Sequence, residues 1–588
     1  MVIQNHEVLV SYLKTKTDKK VAEVAWTIAD KIRGAVLPYR QSITCNLAAY
    51  MLYKASTANK VVAYSDFTFG KVKMPGNLAL LIPNLVNEAL WQKLAPLAKE
   101  HDSDVFASVV LGFGNMDDSF VVGDDIATPA SLCDLSAKLL HLVDGDAVMD
   151  LGSGPANMLL ALLRQDVKVR YYGYEIASEA ADIAAARLDA AKVDGAVHQC
   201  DVFDLVGESL KGALPKDKAR KVFSNFPFFV RYEDREFPFL TEIKGECEAF
   251  AKRTSFNWVF CELICRVMGE HGRGVGIVVN GDLTNVSCLA VREHFLKRGL
   301  IECVVSLPTK LFDGTSISCA LVIFSHGNTS VRFVDASGIH SVGRRRNMFS
   351  EDDIAKIVEL VENGGEGCRD VGIDVLAETD YILNPTQYAV PEEDGVTFED
   401  FILKSTRGAP CKASDLDKMS SQEPTDYRFL TLADIKNGVV SDSLPYLSGI
   451  ERSLEKFCIK NNSLIMSKNG YPYKVAVVTV PEGKKVLANG NLFVIELDET
   501  KANPMFVKAY FESGRGIAAL KRITSGTAMP MISIDLLRKL RIPLPSLSEQ
   551  NAFVARYLKG VEKVAKLRVQ LDEALASLSS MFDAEVNG

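Results

Sequence analysis

No run of about 18 consecutive apolar residues occurs in the 588-residue sequence, and its first thirty residues lack a signal-peptide pattern. The first absence argues against a membrane-spanning helix, and the second argues against export. Hydrophobic residues make up 47% of the chain and charged residues 24%, which excludes a disordered protein of low hydrophobicity. We therefore expect a cytoplasmic protein with folded domains and no membrane partner.

Paired metal ligands and nucleotide-binding loops are also missing. The 12 cysteines are scattered singly, and the closest two, Cys261 and Cys265, have helical i,i+4 spacing within an apolar stretch. A zinc site would need a second pair or nearby histidines, so we expect reduced core thiols and no metal. Because no glycine-lysine phosphate loop and no nuclease or helicase pattern is present, we expect no ATP use. Any cleavage of a nucleic acid would need a separate polypeptide.

An excess of basic residues is absent as well, since 67 Lys and Arg stand against 75 Asp and Glu, for a formal net charge of -8. A large surface that binds DNA regardless of sequence would need more positive charge. A single local basic surface remains compatible with this balance. The densest basic cluster is Arg344, Arg345 and Arg346, for which a solvated loop is an equally good interpretation.

The length predicts about three or four domains, and the hydrophobic pattern changes along the chain accordingly. Residues 1–120 favour a helical domain, in which Val24, Ile28, Ile32 and Val36 share one helix face. The region that follows differs, because short apolar runs alternate there with helical stretches. Those runs are "AVMDLG", "VRYYGYE", "KVFSNF", "GVGIVVN", "IECVVSLP" and "SCALVIF". The alternation predicts a mainly parallel sheet with helices on both faces.

This alternating region, with a connector at its end, is assigned to residues 121–395. Residues 396–548 have a different texture, with short strands and turn residues, and residues 549–588 form one long helix. Along that helix apolar residues alternate spacings of three and four, which predicts a coiled-coil-like seam. The seam consists of Val564, Leu567, Leu571, Ala574 and Leu578. The predicted fold class is α/β: a helical N-terminal domain, a Rossmann-like domain, and a C-terminal α+β domain with a coiled-coil-like helix.

A glycine turn follows the first strand of the alternating region. The strand ends at Asp150, Gly152 and Gly154 form the turn, and an apolar helix begins after it. Glycines let the backbone approach a ligand closely, and the helix N-terminus faces that ligand. The next two strands end in Glu175 and Asp201, whose carboxylates suit a ribose and an adenine amino group respectively. We expect all three carboxylates to converge on one crevice.

This arrangement resembles the S-adenosylmethionine pocket of class I methyltransferases, because the third glycine of a dinucleotide fingerprint is absent. Pro155 is unusual at the end of the glycine turn. Its ring fits the first turn of a helix, but its backbone N–H is lost. The resemblance implies that S-adenosylmethionine is the cofactor.

The segment "KVFSNFPFF" places Asn225, Phe226, Pro227 and Phe228 directly after a strand. The lone pair of an adenine amino nitrogen is delocalised into the ring, so that nitrogen is a poor nucleophile. The Asn225 Oδ1 and the carbonyl of residue 226 are suited to accept its two hydrogens, and Phe228 is suited to stack on a flipped base. The segment resembles the Asn-Pro-Pro-aromatic motif of amino-methyltransferases, with Phe226 in place of the first proline.

The order of segments resembles the modification subunit of type I restriction-modification systems over about residues 20–365. Thr128 and Pro129 match the family's Tyr-Thr-Pro segment, which implies that they line the methionine end of the cofactor. The remaining matching segments follow in family order. They are "AWTIADKIRGAVLPYRQSITCNLAAYMLYK", "GRGVGIVVNGDL", "VREHFLKRGLIECVVSLPTKLFDGTSISCALVIF" and "VRFVDAS".

The C-terminal part resembles the specificity subunit of the same systems, through "YRFLTLADIKNGVV", "SLIMSKNGYPYKVAVV" and "TSGTAMPMISIDLLRKLRIPLPSLSEQ". It has one target recognition domain where a full specificity subunit has two. This implies double-stranded DNA as the partner, and a homodimer through the C-terminal helix is one way to read a two-part site. The candidate DNA contacts are Lys468, Asn469, Tyr471, Tyr473 and Lys474, for which an ordinary hairpin turn is an equally good interpretation.

Taken together, the sequence favours a site-specific, adenine-specific DNA methyltransferase of a restriction-modification system. Three alternatives stay open. Phe226 and Pro155 are also compatible with a catalytically impaired DNA-binding or assembly subunit. The amino group of cytosine, at N4, has the same chemistry as that of adenine. The motif around Asn225 also suits a protein glutamine or an RNA base, although the C-terminal resemblance to a DNA-reading domain argues against both.

Overall fold

The computed structural model describes residues 19–37, 40–58, 62–112, 128–206, 212–217, 219–228, 238–251, 255–312, 315, 317–343, 346–389, 394–411, 416, 418–470, 472–525 and 530–586, without the side chains of 565 and 576–586. Arg344, Arg345 and Tyr471 lie outside these ranges. The chain divides into two compact units, Met1–Ala389 and Val390–Gly588. The boundaries of the four domains drawn from the sequence remain predictions.

The first unit begins with helices. On the first of them, Val24, Ile28 and Ile32 are buried, as the helical periodicity predicts. Val36, which the same periodicity places on this face, lies four residues beyond the end of the helix. The second is buried on nearly all sides, which is typical of a central core helix. The helices of this region are α1 (Lys19–Ile32), α2 (Gln41–Thr57), α3 (Tyr64–Thr68), α4 (Leu78–Leu85), α5 (Glu88–Leu94), α6 (Leu97–Glu100) and α7 (Ser103–Gly112).

A nine-stranded sheet forms the centre of the first unit. Its strands are β1 (Ala147–Leu151), β2 (Arg170–Glu175), β3 (Gly195–Gln199), β4 (Lys221–Ser224), β5 (Arg273–Val279), β6 (Ile301–Ser306), β7 (Cys319–Phe324), β8 (Ser330–Asp335) and β11 (Cys368–Gly372). A separate two-stranded pair consists of β9 (Ser341–Val342) and β10 (Asn347–Met348).

The strand order is β11-β8-β6-β7-β5-β4-β1-β2-β3. Most neighbours pair in parallel, while β7 runs antiparallel between β5 and β6, and β11 runs antiparallel to β8. Every apolar run that the sequence assigns to a strand is a strand of this sheet. The predicted mainly parallel sheet is therefore present, and its first four strands bring their carboxyl ends to one edge.

Both faces of the sheet are covered, because successive strand residues such as Val148 and Met149 belong to separate buried cores. Cys261 and Cys265 are buried, free thiols on one of the covering helices. The helices from the sheet region onward are α8 (Ala130–Leu139), α9 (Asn157–Leu163), α10 (Ser178–Ala191), α11 (Pro238–Glu246), α12 (Glu248–Ala251), α13 (Asn257–Met268), α14 (Asn280–Thr284), α15 (Leu289–Lys297), α16 (Glu351–Asn363), α17 (Ile373–Ala377) and α18 (Pro385–Ala389).

The second unit contains two four-stranded sheets and several two-stranded pairs. One sheet has the order β13-β22-β19-β20 and the other β14-β18-β15-β21. The strands are β12 (Val396–Thr397), β13 (Ile402–Arg407), β14 (Ser420–Ser421), β15 (Tyr427–Leu430), β16 (Ile435–Lys436), β17 (Val439–Val440), β18 (Tyr446–Leu447), β19 (Ser463–Ser467), β20 (Val475–Val478), β21 (Lys485–Ala488), β22 (Leu492–Leu497), β23 (Thr524–Ser525), β24 (Met531–Ile532) and β25 (Arg541–Ile542).

The helices of the second unit are α19 (Pro504–Glu512), α20 (Gly514–Arg522), α21 (Ile534–Arg538) and α22 (Leu547–Val586). The last of these has 40 residues, or about 60 Å at 1.5 Å per residue. Leu567 and Leu571 of the predicted seam are 54% and 58% exposed. The long helix is thus present with apolar side chains in solvent, while its coiled-coil pairing remains a prediction. Within the described ranges, none of the helices has the length and apolar character needed to cross a bilayer.

Candidate active site

The glycine turn after β1 leaves open space above its backbone. Gly152 and Gly154 have φ angles of +74° and +51°, which are left-handed conformations that favour glycine. A Cβ added at either residue would meet no heavy atom of the described residues within 4 Å. The turn therefore has both the conformation and the free volume that close approach of a ligand requires.

Glu175, at the end of β2, holds this turn. One carboxylate oxygen accepts the backbone N–H of Gly154 at 2.7 Å, and the other accepts that of Ala177 at 2.8 Å. The carbonyl of Tyr174 also accepts the N–H groups of Gly152 and Ser153, at 2.9 and 3.0 Å. The predicted ribose acceptor thus lies against the glycine turn, and its carboxylate is oriented by two backbone donors.

Asp150 lies in β1 with 2% of its surface exposed. Its carboxylate accepts a hydrogen bond from the hydroxyl of Tyr171 at 2.7 Å. Burial, together with the negative charge of Glu175, raises the pKa of Asp150 to about 7, although the Tyr171 hydrogen bond opposes the shift. Tyr171, which sequence reasoning missed, reaches this carboxylate across Gly173, where a Cβ would lie 3.1 Å from the tyrosine ring.

Asp201 lies two residues beyond the end of β3. It is exposed, and its Oδ1 accepts the backbone N–H of Phe203 at 3.0 Å. The preceding residue, Cys200, donates its N–H to the carbonyl of Glu175 at 3.0 Å. The ends of β2 and β3 are therefore tied together, and the carboxylates of Glu175 and Asp201 follow neighbouring strand ends, as the sequence predicts.

Asn225 follows β4 immediately, and the Ser224 hydroxyl fixes that strand end by donating to the carbonyl of Leu151 at 2.7 Å. The Asn225 Nδ2 donates to the Thr128 Oγ1 at 2.8 Å, across 97 residues of sequence. Its Oδ1 is buried and has no hydrogen-bond partner among the residues that the structure describes. The amide is thus anchored by its nitrogen and presents an unused acceptor.

Thr128 is also hydrogen-bonded to a residue that follows the glycine turn. Its carbonyl accepts a hydrogen bond from the Nδ2 of Asn157 at 2.9 Å. Pro129, next to it, is buried at the N-terminus of α8. Asn157 is the first residue of α9 and was not predicted as a site residue. Its only sequence signal is a polar side chain that opens the otherwise apolar helix "NMLLALL".

The turn between Gly154 and α9 differs from expectation. Pro155 does not lie in the first turn of the helix, because α9 begins only at Asn157. The residue between them, Ala156, has a φ angle of +64° and is fully buried. A left-handed alanine is uncommon, and no local preference of the sequence predicts it. The helix therefore begins two residues later than it would with the proline at its first position.

Phe226 and Phe228 take different positions. The Phe226 ring is 1% exposed and stacks on Phe260 with centroids 4.9 Å apart and planes 13° apart. Phe228 is half-buried and meets Phe312 edge-on, with centroids 5.3 Å apart. Pro227 is exposed between them. The phenylalanine that replaces the family's first proline is therefore part of the apolar core, and its backbone carbonyl remains available whatever the side chain.

The predicted DNA contacts lie on the connection between β19 and β20, an antiparallel hairpin. Lys468 and Asn469 follow β19, and the main chain of Lys468 bonds to Asn491 and Ile532. The Oδ1 of Asn469 is buried without a partner among the described residues. The hairpin turn that the sequence allowed is therefore present, and it carries the polar residues proposed to contact DNA.

Two further residues of the cluster, Tyr473 and Lys474, contact other parts of the second unit. Tyr473 packs against the apolar core of the second unit, and its hydroxyl lies 3.1 Å from the Oγ1 of Thr524. Lys474 is exposed, and its ammonium donates to the carbonyl of Leu432 at 2.8 Å. Tyr471 lies outside the described residues.

Two family models match the chain. Residues 123–395 match the N-6 DNA Methylase family, and residues 409–574 match the Type I restriction modification DNA specificity domain. These matches confirm the resemblance to a modification subunit and to a specificity subunit of type I systems. Each covers a different part of the chain, in the order that the sequence predicts.

Individual relatives agree with the family models. The chain is 26% identical over 298 residues to the Type I restriction enzyme MjaVII methylase subunit of Methanocaldococcus jannaschii, which covers 46% of this chain and 50% of that protein. It is 25% identical over 160 residues to the HindI methylase subunit of Haemophilus influenzae, covering 24% and 36%. The chain therefore spans half or less of the length of these curated relatives.

Among solved structures, the methyltransferase subunit of a type I restriction-modification system from Streptococcus thermophilus resembles the chain with a TM-score of 0.49 and 14% identity. The similarity covers 63% of this chain and 99% of that one.

Proposed function

Because the chain carries an N-6 DNA methylase domain followed by a type I restriction-modification DNA specificity domain, we propose that it is a site-specific DNA methyltransferase. The methyl group goes from S-adenosylmethionine to N6 of adenine in duplex DNA. One observation carries the proposal: Asn225 is anchored through its nitrogen and keeps a buried carbonyl oxygen unpartnered within the described structure. A buried acceptor without a donor is costly, so a donor is expected to arrive with the substrate.

The residues around the glycine turn fit the proposed cofactor. Open space above Gly152 and Gly154 would admit the ligand, and we assign the carboxylates of Glu175 and Asp201 to the ribose and the adenine amino group. Thr128 would lie at the methionine end. When bound, S-adenosylmethionine supplies an electrophilic methyl group on a sulfonium sulfur.

Catalysis by the chain's own residues rests on positioning. The Asn225 Oδ1 accepts one hydrogen of the target amino group, and the carbonyl of Phe226 accepts the other. Two acceptors on one side favour a pyramidal nitrogen, whose lone pair then points away from them. Such preorganised contacts act without reorganisation at the moment of reaction. The half-buried ring of Phe228 offers the flipped base a stacking surface.

The geometry favours an active site over an impaired one. Loss of the first proline of the motif removes local stiffness, but Phe226 gains a stacking contact with Phe260 in the core. The strand end before it is fixed by the Ser224 hydroxyl. Pro155 loses a donor, yet Glu175 still holds the turn through Gly154. Both departures from the family pattern are thus compensated by packing or by a neighbouring bond.

Incubation with methyl-labelled S-adenosylmethionine and mixed-sequence duplex DNA tests the proposal. Digestion to nucleosides should place the label in N6-methyladenine. Label in N4-methylcytosine would change the target base, and label in RNA or in added protein would favour the broader amino- or amide-methyl alternatives. The absence of label in any DNA across a range of salt concentrations would contradict methyltransferase activity.

The second unit is proposed to read the DNA sequence through the loop between β19 and β20. With a single recognition domain, one chain reads half of a two-part site, and pairing of two chains through α22 would supply the other half. Cleavage, where it accompanies this system, is assigned to a separate restriction subunit. Sequencing DNA from cells that express the chain, with detection of modified bases, would give the site and show whether it has one part or two.

A further inference from the structure

A buried arginine lies behind the candidate active site. Arg187, on α10, has 1% of its surface exposed, and within the described residues its guanidinium donates to three oxygen atoms. It donates to the carbonyl of Pro155, to the Oδ1 of Asn157 at 3.3 Å, and to the Oδ1 of Asn46 on α2 at 3.4 Å. Burial lowers the pKa of Arg187 to about 10, so the group remains charged at neutral pH.

The direction of these bonds fixes the neighbouring amide. A guanidinium can only donate, so Asn157 must turn its oxygen toward Arg187. The Nδ2 of Asn157 then points the other way and donates to the carbonyl of Thr128 at 2.9 Å. The Oγ1 of Thr128 in turn accepts the Nδ2 of Asn225 at 2.8 Å. A continuous series of hydrogen bonds therefore runs from α10 to the predicted catalytic amide, through the side chain of Asn157 and through both the main chain and the side chain of Thr128.

The same guanidinium supports the unusual backbone of the turn. Pro155 has no N–H to bond, and Ala156 adopts a left-handed conformation that L residues rarely take. The carbonyl of Pro155 is bonded to Arg187 at this point. The glycine turn and the Thr128 segment are consequently held by one residue that lies outside both sequence motifs.

We infer that Arg187 is a positioning residue for methyl transfer, which through Asn157 and Thr128 holds the Asn225 amide where the target base must bind. The inference rests on the proposed function. Arg187 is buried and acts on the site through its hydrogen bonds to Pro155 and Asn157. Its loss should reduce the rate of the chemical step and, through the glycine turn, weaken cofactor binding to a smaller extent.

Substitution of Asn157 by aspartate isolates this link. A carboxylate still accepts from Arg187, and the new ion pair should keep the fold intact. It cannot donate to the carbonyl of Thr128, so that segment loses its anchor. We expect Asn157→Asp to lower kcat about 10-fold or more, with the unfolding temperature near that of the parent protein. The calorimetric cofactor Kd should rise by a smaller factor, because Thr128 is proposed to lie at the methionine end of the cofactor. Parent-like kcat in Asn157→Asp would overturn the inference.

Arg187→Lys and Arg292→Lys form a matched pair. Arg292 is equally buried and donates to the carbonyls of Tyr381, Asp282 and Asn285, with no bond to the glycine turn. Both variants should lower the unfolding temperature. Only Arg187→Lys should also reduce kcat, and an equal kcat loss in both would reduce Arg187 to a stabilising residue.

The inference and the proposed function fail in different ways. If the parent protein transfers no methyl group to DNA, the proposed function is wrong, and crystal structures of the parent and Asn157→Asp then decide the positioning role. The inference predicts that the Asn225–Thr128 hydrogen bond is lost in the variant. A bond that persists unchanged in Asn157→Asp contradicts the inference, whether or not the parent is active.

Discussion

The carboxyl edge of the nine-stranded sheet and the loop between β19 and β20 both gather polar side chains, but they hold them differently. At the sheet edge, Glu175 accepts two backbone N–H groups and Asn225 is bonded to Thr128. In the loop, Lys474 is exposed and its ammonium bonds one carbonyl. Fixed side chains suit bond-making chemistry, where small positional errors lower the rate, whereas an exposed charge suits contact with a phosphate backbone.

Asn225→Ala should cause the largest loss of activity at the sheet edge. It removes the unpartnered acceptor, so we expect kcat to fall by at least about 100-fold while the calorimetric Kd for S-adenosylmethionine changes little. Asn328→Ala is the control, because Asn328 donates to the carbonyls of Gly299 and Ser325 in a loop of the same unit. A large increase in the cofactor Kd of Asn225→Ala would contradict its assignment to the base.

Glu175→Ala should have the next largest effect, and on binding rather than on chemistry. The substitution removes the anchor of Gly154 as well as the proposed ribose acceptor. Hydrogen bonds to a charged group contribute about 1.5–3 kcal/mol, so we expect the cofactor Kd to rise about 10- to 100-fold. Asp204→Ala removes an exposed carboxylate three residues from Asp201 and should leave the Kd unchanged. Equal losses in the two variants would rule out a specific role for Glu175.

The buried carboxylate of Asp150 should make the stability of the first region depend on pH. Its pKa of about 7 in the folded state exceeds the ordinary value of 3.8, so folding favours the protonated form. The stabilisation is complete below about pH 4 and is lost as pH rises through 7. Between pH 5 and pH 8 the parent should lose a few degrees of unfolding temperature more than Asp150→Asn, whose amide can still accept from Tyr171. Parallel profiles would show that Asp150 does not titrate in this range.

Lys474→Ala, in the loop, should have a smaller effect than any of the substitutions at the sheet edge. Loss of one phosphate contact should weaken DNA binding a few-fold and reduce the slope of log K against log salt by about one. Thermal stability should be unchanged. Lys460, at the opposite end of the same hairpin and paired with Glu496, provides the control substitution to alanine. An unaltered salt slope in Lys474→Ala would remove this residue from the DNA contacts.

Strand ends and the glycine turn were predictable from the sequence because their signals are local. Short apolar runs end at Asp150, Glu175 and Asn225, and parallel pairing brings such ends to one edge. The contact between Thr128 and Asn225 has no local signal, and only the family resemblance indicated that both belong to one site.

The residues that sequence reasoning missed act through tertiary contacts. Tyr171 reaches Asp150 from the middle of a strand, and Arg187 reaches Pro155 from the middle of a helix. Neither position differs by pattern from an ordinary core residue. The placement of Pro155 was wrong for a related reason, because the left-handed conformation of Ala156 is imposed by its surroundings rather than by alanine's own preference.

The stacked pair of Phe226 and Phe260 has an evolutionary consequence. A change of position 226 to proline alone would leave a gap beside Phe260, and cavities of that kind are costly in a packed core. The motif therefore cannot take the family's proline by one substitution without loss of stability. In directed evolution that starts from Phe226→Pro, clones with restored stability should carry a second, space-filling change at or near position 260. The residues at the two positions should therefore change together.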